Sequence, residues 1–272
     1  MGLFDRFKKE KKSKEEPGGV LPSFVLLDEV AFDVDAFVKD LYDDWGIEIP
    51  ADQIKKATEK ADGDLPMLVA TLGNATIAVS LMPAPVPDGE AVGNAKTNFR
   101  WPEAVAVTEC HKACILVAVL PPEEQSLKET AVLHAKLCAS VLKQPHATAI
   151  NTAGTVFDPA FYIDSAEQYV KEGKFPILNH IFFGLYSNDG GGMVSGYTYG
   201  LGNLGKKDIE ILDSNHSPDE VLDFMTDIAL YILEYDAILK HGETIGFSAE
   251  QKLAITESAG IAVDGRSLKI EF

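Results

Sequence analysis

Between Ile181 and Asp213 the chain reads IFFGLYSNDGGGMVSGYTYGLGNLGKKDIEILD, and this glycine-punctuated stretch limits the fold more than any other. Residues 181–187 and 193–199 are apolar, aromatic and β-branched runs of strand length. Between them Asn188-Asp189-Gly190-Gly191-Gly192 supplies residues that tolerate positive φ, which predicts a hairpin with a five-residue loop. A third strand is expected over 208–213, where Ile209 and Ile211 alternate with Glu210, one face packed and the other wet. Three adjacent strands make a meander.

The link between the second and third of these strands, Gly200-Leu201-Gly202-Asn203-Leu204-Gly205, matches G-x-G-x-x-G letter for letter. A dinucleotide site needs a helix to begin inside that motif, so that its first amides hold the pyrophosphate. Here Lys206-Lys207 and then a strand follow, so the motif reads as a glycine-rich connection. Ser195 sits in G-x-x-S-G, not in the G-x-S-x-G of a nucleophile elbow.

The run Gly196-Tyr197-Thr198, Gly200-Leu201, Gly205 and Glu210, followed by His241–Phe247 and the ending Gly260–Phe272, resembles the C-terminal signature of the bacterial domain-of-unknown-function 4261 family. The resemblance extends over roughly residues 100–272. It implies a bacterial, soluble protein and transfers no catalytic residue.

A chain of 272 residues with 46% hydrophobic and 9% aromatic content can bury a substantial core. The longest strictly apolar run, Ala113–Leu120, is far too short to span a bilayer, and the N-terminus lacks the apolar stretch of a signal peptide. Three cysteines, an odd number, point to free thiols in a reducing compartment, so a cytoplasmic location is expected. The net charge of −18 disfavours nucleic acid, whose phosphates require a positive field, and suits electrostatic capture of a basic protein.

Residues 1–19 stand apart as a charged tail of six basic and four acidic residues ending at Pro17-Gly18-Gly19. Its Leu3, Phe4 and Phe7 beside Arg6, Lys8 and Lys9 allow peripheral membrane contact, although a frayed tail is the simpler reading. Residues 20–82 are expected to form a small α+β subdomain: a strand over 23–30, a helix after Asp33 or Asp35 to Trp45, a helix over 51–61, and strands 66–72 and 75–82 around Gly73-Asn74. Three prolines and two glycines make 83–98 a linker or long loop. Residues 99–272 then form the C-terminal domain. Its expected elements are a helix near 101–108, a buried strand over 112–120, a helix over 123–143 and extended chain over 147–157. Beyond these come a helix opened by Asp158-Pro159, the meander, a long helix from Ser217-Pro218 to about Leu239, and a turn at Asp264-Gly265. Without a regular βαβ repeat the fold class is α+β, a largely antiparallel sheet with helices packed on it.

Three groups of residues could carry chemistry. Cys110, His111 and Cys114, with His134 and Cys138, are of zinc-ligand type, but His134 and Cys138 lie on the same helical stripe as Leu127, Ala131 and Leu142, which reads as core. His180 and His216, with Asp189 or Asp213, could serve as acid and base, though no nucleophile is placed beside them. The third group is acidic. Residues 208–239 hold nine acids and no Lys or Arg, and residues 28–64 add twelve acids against four lysines. On the long helix Leu222, Met225, Ala229 and Ile232 form one face, while Glu220, Asp223, Asp227 and Glu234 line another. These four carboxylates are the expected partner-binding residues. No catalytic residue, cofactor or metal ligand is assigned. The expectation is a non-catalytic binding protein, such as an immunity protein or antitoxin that neutralises a basic toxin. The alternative is a hydrolase or metal-dependent enzyme using the histidine or cysteine groups.

Overall fold

A computed structural model describes residues 22–58, 65–120, 126–187, 192–248 and 250–272. The tail 1–19 and most of the expected 188–192 loop lie outside the described residues, so their readings stand only as sequence expectations. The α+β class holds. The described chain forms two six-stranded sheets, mostly antiparallel, with helices packed against them.

The first sheet contains β1 (Ser23–Leu27), β2 (Met67–Leu72), β3 (Ala75–Met82), β4 (Ala113–Leu120), β5 (Ala147–Thr152) and β6 (Thr155–Phe157), in the order β2-β3-β4-β1-β5-β6. Alternation decides its two faces. On β1, Val25 and Leu27 point into a core shared with α1 (Val34–Trp45), α2 (Ala51–Thr58), α5 (Leu127–Val141) and α6 (Pro159–Lys171). Leu26 between them points the other way, with Cys114 and Ala149, toward α3 (Glu90–Ala95) and α4 (Ala104–Glu109). The caps are those the sequence advertises. The Asp33 carboxylate accepts from the Ala36 amide, and the Asp158 carboxylate accepts from Phe161 ahead of Pro159. The α5 helix starts at Leu127 behind a Ser126 cap, later than position 123.

Residues 83–98, read as linker or loop, connect β3 to β4, which pair along seven registered positions of one sheet. A 3-10 turn at Pro87–Gly89 leads directly into α3. Small side chains disguised this segment: Ala91 and Ala95 look like weak anchors in sequence, yet both are buried beside Val86. The first sheet therefore draws strands from both sides of the expected division at 83–98.

After the short α7 (Ile177–His180), the second sheet is built from β7 (Phe182–Tyr186), β8 (Val194–Tyr199), β9 (Ile209–Ser214), β10 (Thr244–Ile245), β11 (Leu253–Ala259) and β12 (Arg266–Ile270). Its order is β10-β11-β12-β9-β8-β7, and the expected meander is β7-β8-β9. β12 inserts parallel to β9 and antiparallel to β11. Between β8 and β9 the glycine-rich segment makes only a 3-10 turn, Leu201–Leu204, and runs into β9 rather than into a helix that could hold a pyrophosphate. Gly200 is required for another reason: its φ is +119°, and a Cβ would sit 2.3 Å from the His180 carbonyl oxygen.

The long helix α8 (Pro218–Glu234) covers one face of this sheet, burying seven apolar side chains from Val221 to Leu233. At roughly 1.5 kcal/mol each, that face contributes on the order of 10 kcal/mol before entropy is counted. The helix ends at Glu234, short of the expected Leu239, where Asp236 turns into the left-handed region at φ 50°. No helix among the described residues is long and apolar enough to cross a membrane.

Candidate functional site

The outer face of α8 is fixed by how the helix begins and what it buries. Ser217 caps the first turn by accepting from the Glu220 amide, and the Glu220 carboxylate accepts from both the Ser217 amide and hydroxyl at 2.8 Å. Those two bonds hold the Glu220 carboxyl below its ordinary range. Glu220, expected to face a partner, is thus occupied as half of a capping box.

The buried stripe is Val221, Phe224, Met225, Ile228, Ala229, Ile232 and Leu233. This corrects the apolar face expected from sequence, since Leu222 is only half-buried. The correction leaves Asp223, Asp227 and Glu234 on the solvent side, successively four and seven residues apart. Tyr231 falls in the gap and is 44% exposed, while Tyr235, one turn further, is 72% exposed. The two rings lie against each other with centroids 5.3 Å apart. Sequence reasoning missed both tyrosines. The signal was available in the spacing, because Tyr231 follows Asp227 by four residues and precedes Glu234 by three.

Part of the other acidic region is neutralised by ion pairs, although Asp35, Asp40 and Glu48 there form none among the described residues. On α1, Asp43 pairs with Lys39 at 2.5 Å and Asp44 with Lys143 at 2.6 Å. Within α2 Asp52 pairs with Lys56, and after β1 Asp28 and Glu29 both lie against His146. No such ion pair forms at Asp223, Asp227 or Glu234 among the described residues, although Lys174 lies near enough to Glu234 to feel its charge. Just beyond the helix end, Asp236 is held by Lys206 at 2.5 Å.

The other candidates are dispersed. His180 is buried, its Nε2 donating to the Ala131 carbonyl at 2.8 Å, and its ring packs against His134 and Phe175. His216 instead stacks on Phe272 near Glu220 at the start of α8. Asp213 accepts from the Ser195 hydroxyl through its carboxylate and donates to it through its amide. The cysteine group divides between the two sides of the first sheet: Cys114, on β4, faces α3 and α4, while Cys138 packs from α5 into the core on the opposite side, with His134 of the same helix 3.5 Å away. Cys110 is exposed. Burial pushes the Cys138 thiol up to about 12 and the Cys114 thiol to about 11, which suits packing more than ligation or attack. Among the described residues, no three His, Cys, Asp or Glu side chains converge well enough to hold a metal ion.

A family model described as "Domain of unknown function (DUF4261)" matches residues 197–271. That is the segment from β8 through β12, including α8, and it is narrower than the span from about residue 100 that the resemblance suggested. Within it, Thr198 accepts from the Ile209 amide and donates to Asp208. Glu210 binds the turn amides of Ile261 and Ala262. Thr198 and Glu210, two of the residues that carried the resemblance, therefore help hold the sheet together. No curated protein and no solved structure matches the chain.

Proposed function

We propose that the protein is a non-catalytic binding protein of the bacterial cytoplasm that presents the outer face of α8 to a basic protein partner. An immunity protein or antitoxin docking on a basic toxin is the kind of role this face suits. The observation that carries the reading is the combination on one helix of Asp223, Asp227 and Glu234, outside any ion pair among the described residues, with the exposed ring pair Tyr231 and Tyr235. Carboxylates steer a cationic partner, and tyrosines supply rigid contact area at low entropic cost. Glu220 drops out of the contact set because the capping box engages it. The enzymatic alternative would need His180 and His216, or the cysteine group, to act together, and their separate neighbours favour the binding reading.

The test compares retention of basic proteins from the native host by wild type and by an Asp223→Asn, Asp227→Asn, Glu234→Gln variant, followed by stopped-flow association across a salt series. Association should slow about tenfold at low salt, and the difference should vanish as screening shortens to ~8 Å near physiological ionic strength and beyond. Tyr231→Ala should instead speed dissociation. Equal retention and equal rates at every salt concentration would refute the assignment.

A further inference from the structure

A cavity of about 270 Å³ opens between the two sheets, away from the α8 face. Its wall is aromatic: Phe157 and Phe161 stack with centroids 5.7 Å apart, and Trp101, Phe182 and Phe183 line the rest with Leu178 and Ile181. That volume lies just below the ~300–1,000 Å³ usual for small-molecule sites. Two opposite charges stand at its rim. Arg100 is exposed, and its guanidinium meets the Phe99 ring at 5.6 Å but forms no ion pair among the described residues. Asp158 spends one carboxylate oxygen on the Phe161 amide, and its other oxygen has no partner among the described residues. The two charges do not neutralise each other. Asn98 keeps Arg100 in place, donating to the Val156 carbonyl at 2.8 Å while accepting from the Arg100 amide at 2.9 Å.

We propose that this cavity binds a free apolar amino acid as its zwitterion, with the side chain among the aromatic rings, the carboxylate on Arg100 and the ammonium on Asp158. An apolar interior lined by two charges of opposite sign that do not pair with each other matches that class of ligand. A purely anionic amphiphile meets the Asp158 carboxylate as a like charge, and a purely cationic one meets Arg100 in the same way. The cavity shares no residue with the α8 face, so each assignment stands or falls without the other.

L-Phenylalanine is the probe, titrated into the full-length protein by calorimetry and by the fluorescence of Trp101, with Trp45 removed by substitution to Phe. 3-Phenylpropionate and phenethylamine, which lack the ammonium and the carboxylate respectively, are the comparison ligands. Arg100→Gln and Asp158→Asn should each weaken phenylalanine binding by roughly tenfold or more, as expected for a lost charge-assisted hydrogen bond. Asn caps a helix as well as Asp, so Asp158→Asn leaves α6 intact, and unchanged circular dichroism verifies it. Asp158→Asn should not weaken 3-phenylpropionate, and Arg100→Gln should not weaken phenethylamine. The proposal fails if wild type binds neither phenylalanine nor leucine at millimolar concentration. It also fails if either variant binds phenylalanine as wild type does, or if 3-phenylpropionate binds as tightly as phenylalanine.

Discussion

Lys269 lies beside Glu210 across the parallel β9–β12 pair, its Nζ 2.6 Å from the carboxylate, and both side chains are buried. Glu210 also accepts from the amides of Ile261 and Ala262 and from the Ser267 hydroxyl, while Lys269 donates to the Ala259 carbonyl at 2.7 Å. Burial alone would raise the Glu210 carboxyl, but Lys269 and the other donors hold it below its ordinary value. The pair thus ties the turn between β11 and β12 down onto the sheet.

Breaking this pair from one side strands the other charge inside the protein. Glu210→Gln or Lys269→Met alone should each cost about 3–5 kcal/mol, read from urea unfolding midpoints. The double variant should lose less than the sum of the two, because no charge is left without a partner. Additive losses would mean the two groups act separately.

Phe272 sits between two rings, 4.1 Å from His216 and 4.0 Å from Phe224 by centroids, nearly parallel to both. Phe272→Ala should destabilise by about 2 kcal/mol, less than for a fully buried Phe because the side chain is only partly enclosed. His216→Ala should cost less still, since it leaves the Phe224 contact in place. Thermal melts of the two variants give the order directly.

The glycine-rich link offers a contrast between two of its own members. Gly200→Ala should cost more than about 2 kcal/mol, since φ is +119° and the added Cβ collides with the His180 backbone. Gly202→Ala, with open space around the new methyl, should change stability by less than about 0.5 kcal/mol. Urea unfolding of the two variants side by side reads the difference. Equal damage at both positions would mean that backbone strain at Gly200 is not what the link requires of its glycines.

Acid should destabilise the protein through two histidines. Burial lowers His134 to about 3, helped by the neighbouring His180, and lowers His180 to about 4, both from 6.5. The unfolded chain therefore binds more protons below pH 6.5. Their contribution is complete above that value and is lost as pH falls toward 4. At pH 5 each costs about 2 kcal/mol relative to neutrality, at ~1.4 kcal/mol per unit. Asp208 works against them. Its carboxyl is raised from 3.8 to about 6 by burial, despite accepting from Thr198 and Leu201, so its share is present below 3.8 and lost as pH rises through 6. That returns about 1–2 kcal/mol at pH 5. Urea unfolding should thus show a net loss of about 2–3 kcal/mol between pH 7 and pH 5, and a larger loss in Asp208→Asn.

Local chemistry was the most legible part of the sequence. The Ser217-Pro218 and Asp158-Pro159 starts and the three meander strands each follow from a few adjacent residues. Long-range pairing was not legible. Nothing around Ser23–Leu27 announces that this strand fits between β4 and β5, and Ala91 and Ala95 carry too little side chain to betray a buried helix. On α8 the error was angular. Leu222 has the right chemistry for the core, but a position one residue after Val221 carries it about 100° round the helix, onto the edge of the buried face. Asp223, Asp227 and Glu234 stay exposed despite that rotation, and Glu220 makes a bond to Ser217 that spacing alone leaves undetermined.

Each sheet has an inserted strand at its centre: β1, far in sequence from both of its neighbours β4 and β5, and β12, which joins its sequence neighbour β11 to the distant β9. Neither can peel away as an edge strand can, because its amides and carbonyls are engaged on both sides and its departure would cut the sheet in two. Opening there approaches global unfolding, while β2, β6, β7 and β10 can open locally. In deuterated water the amides of Val25–Leu27 and Leu268–Ile270 should accordingly be among the last to exchange. A protease that reaches the outer strands would still find the two halves of each sheet clasped by its central strand, β1 in the first and β12 in the second.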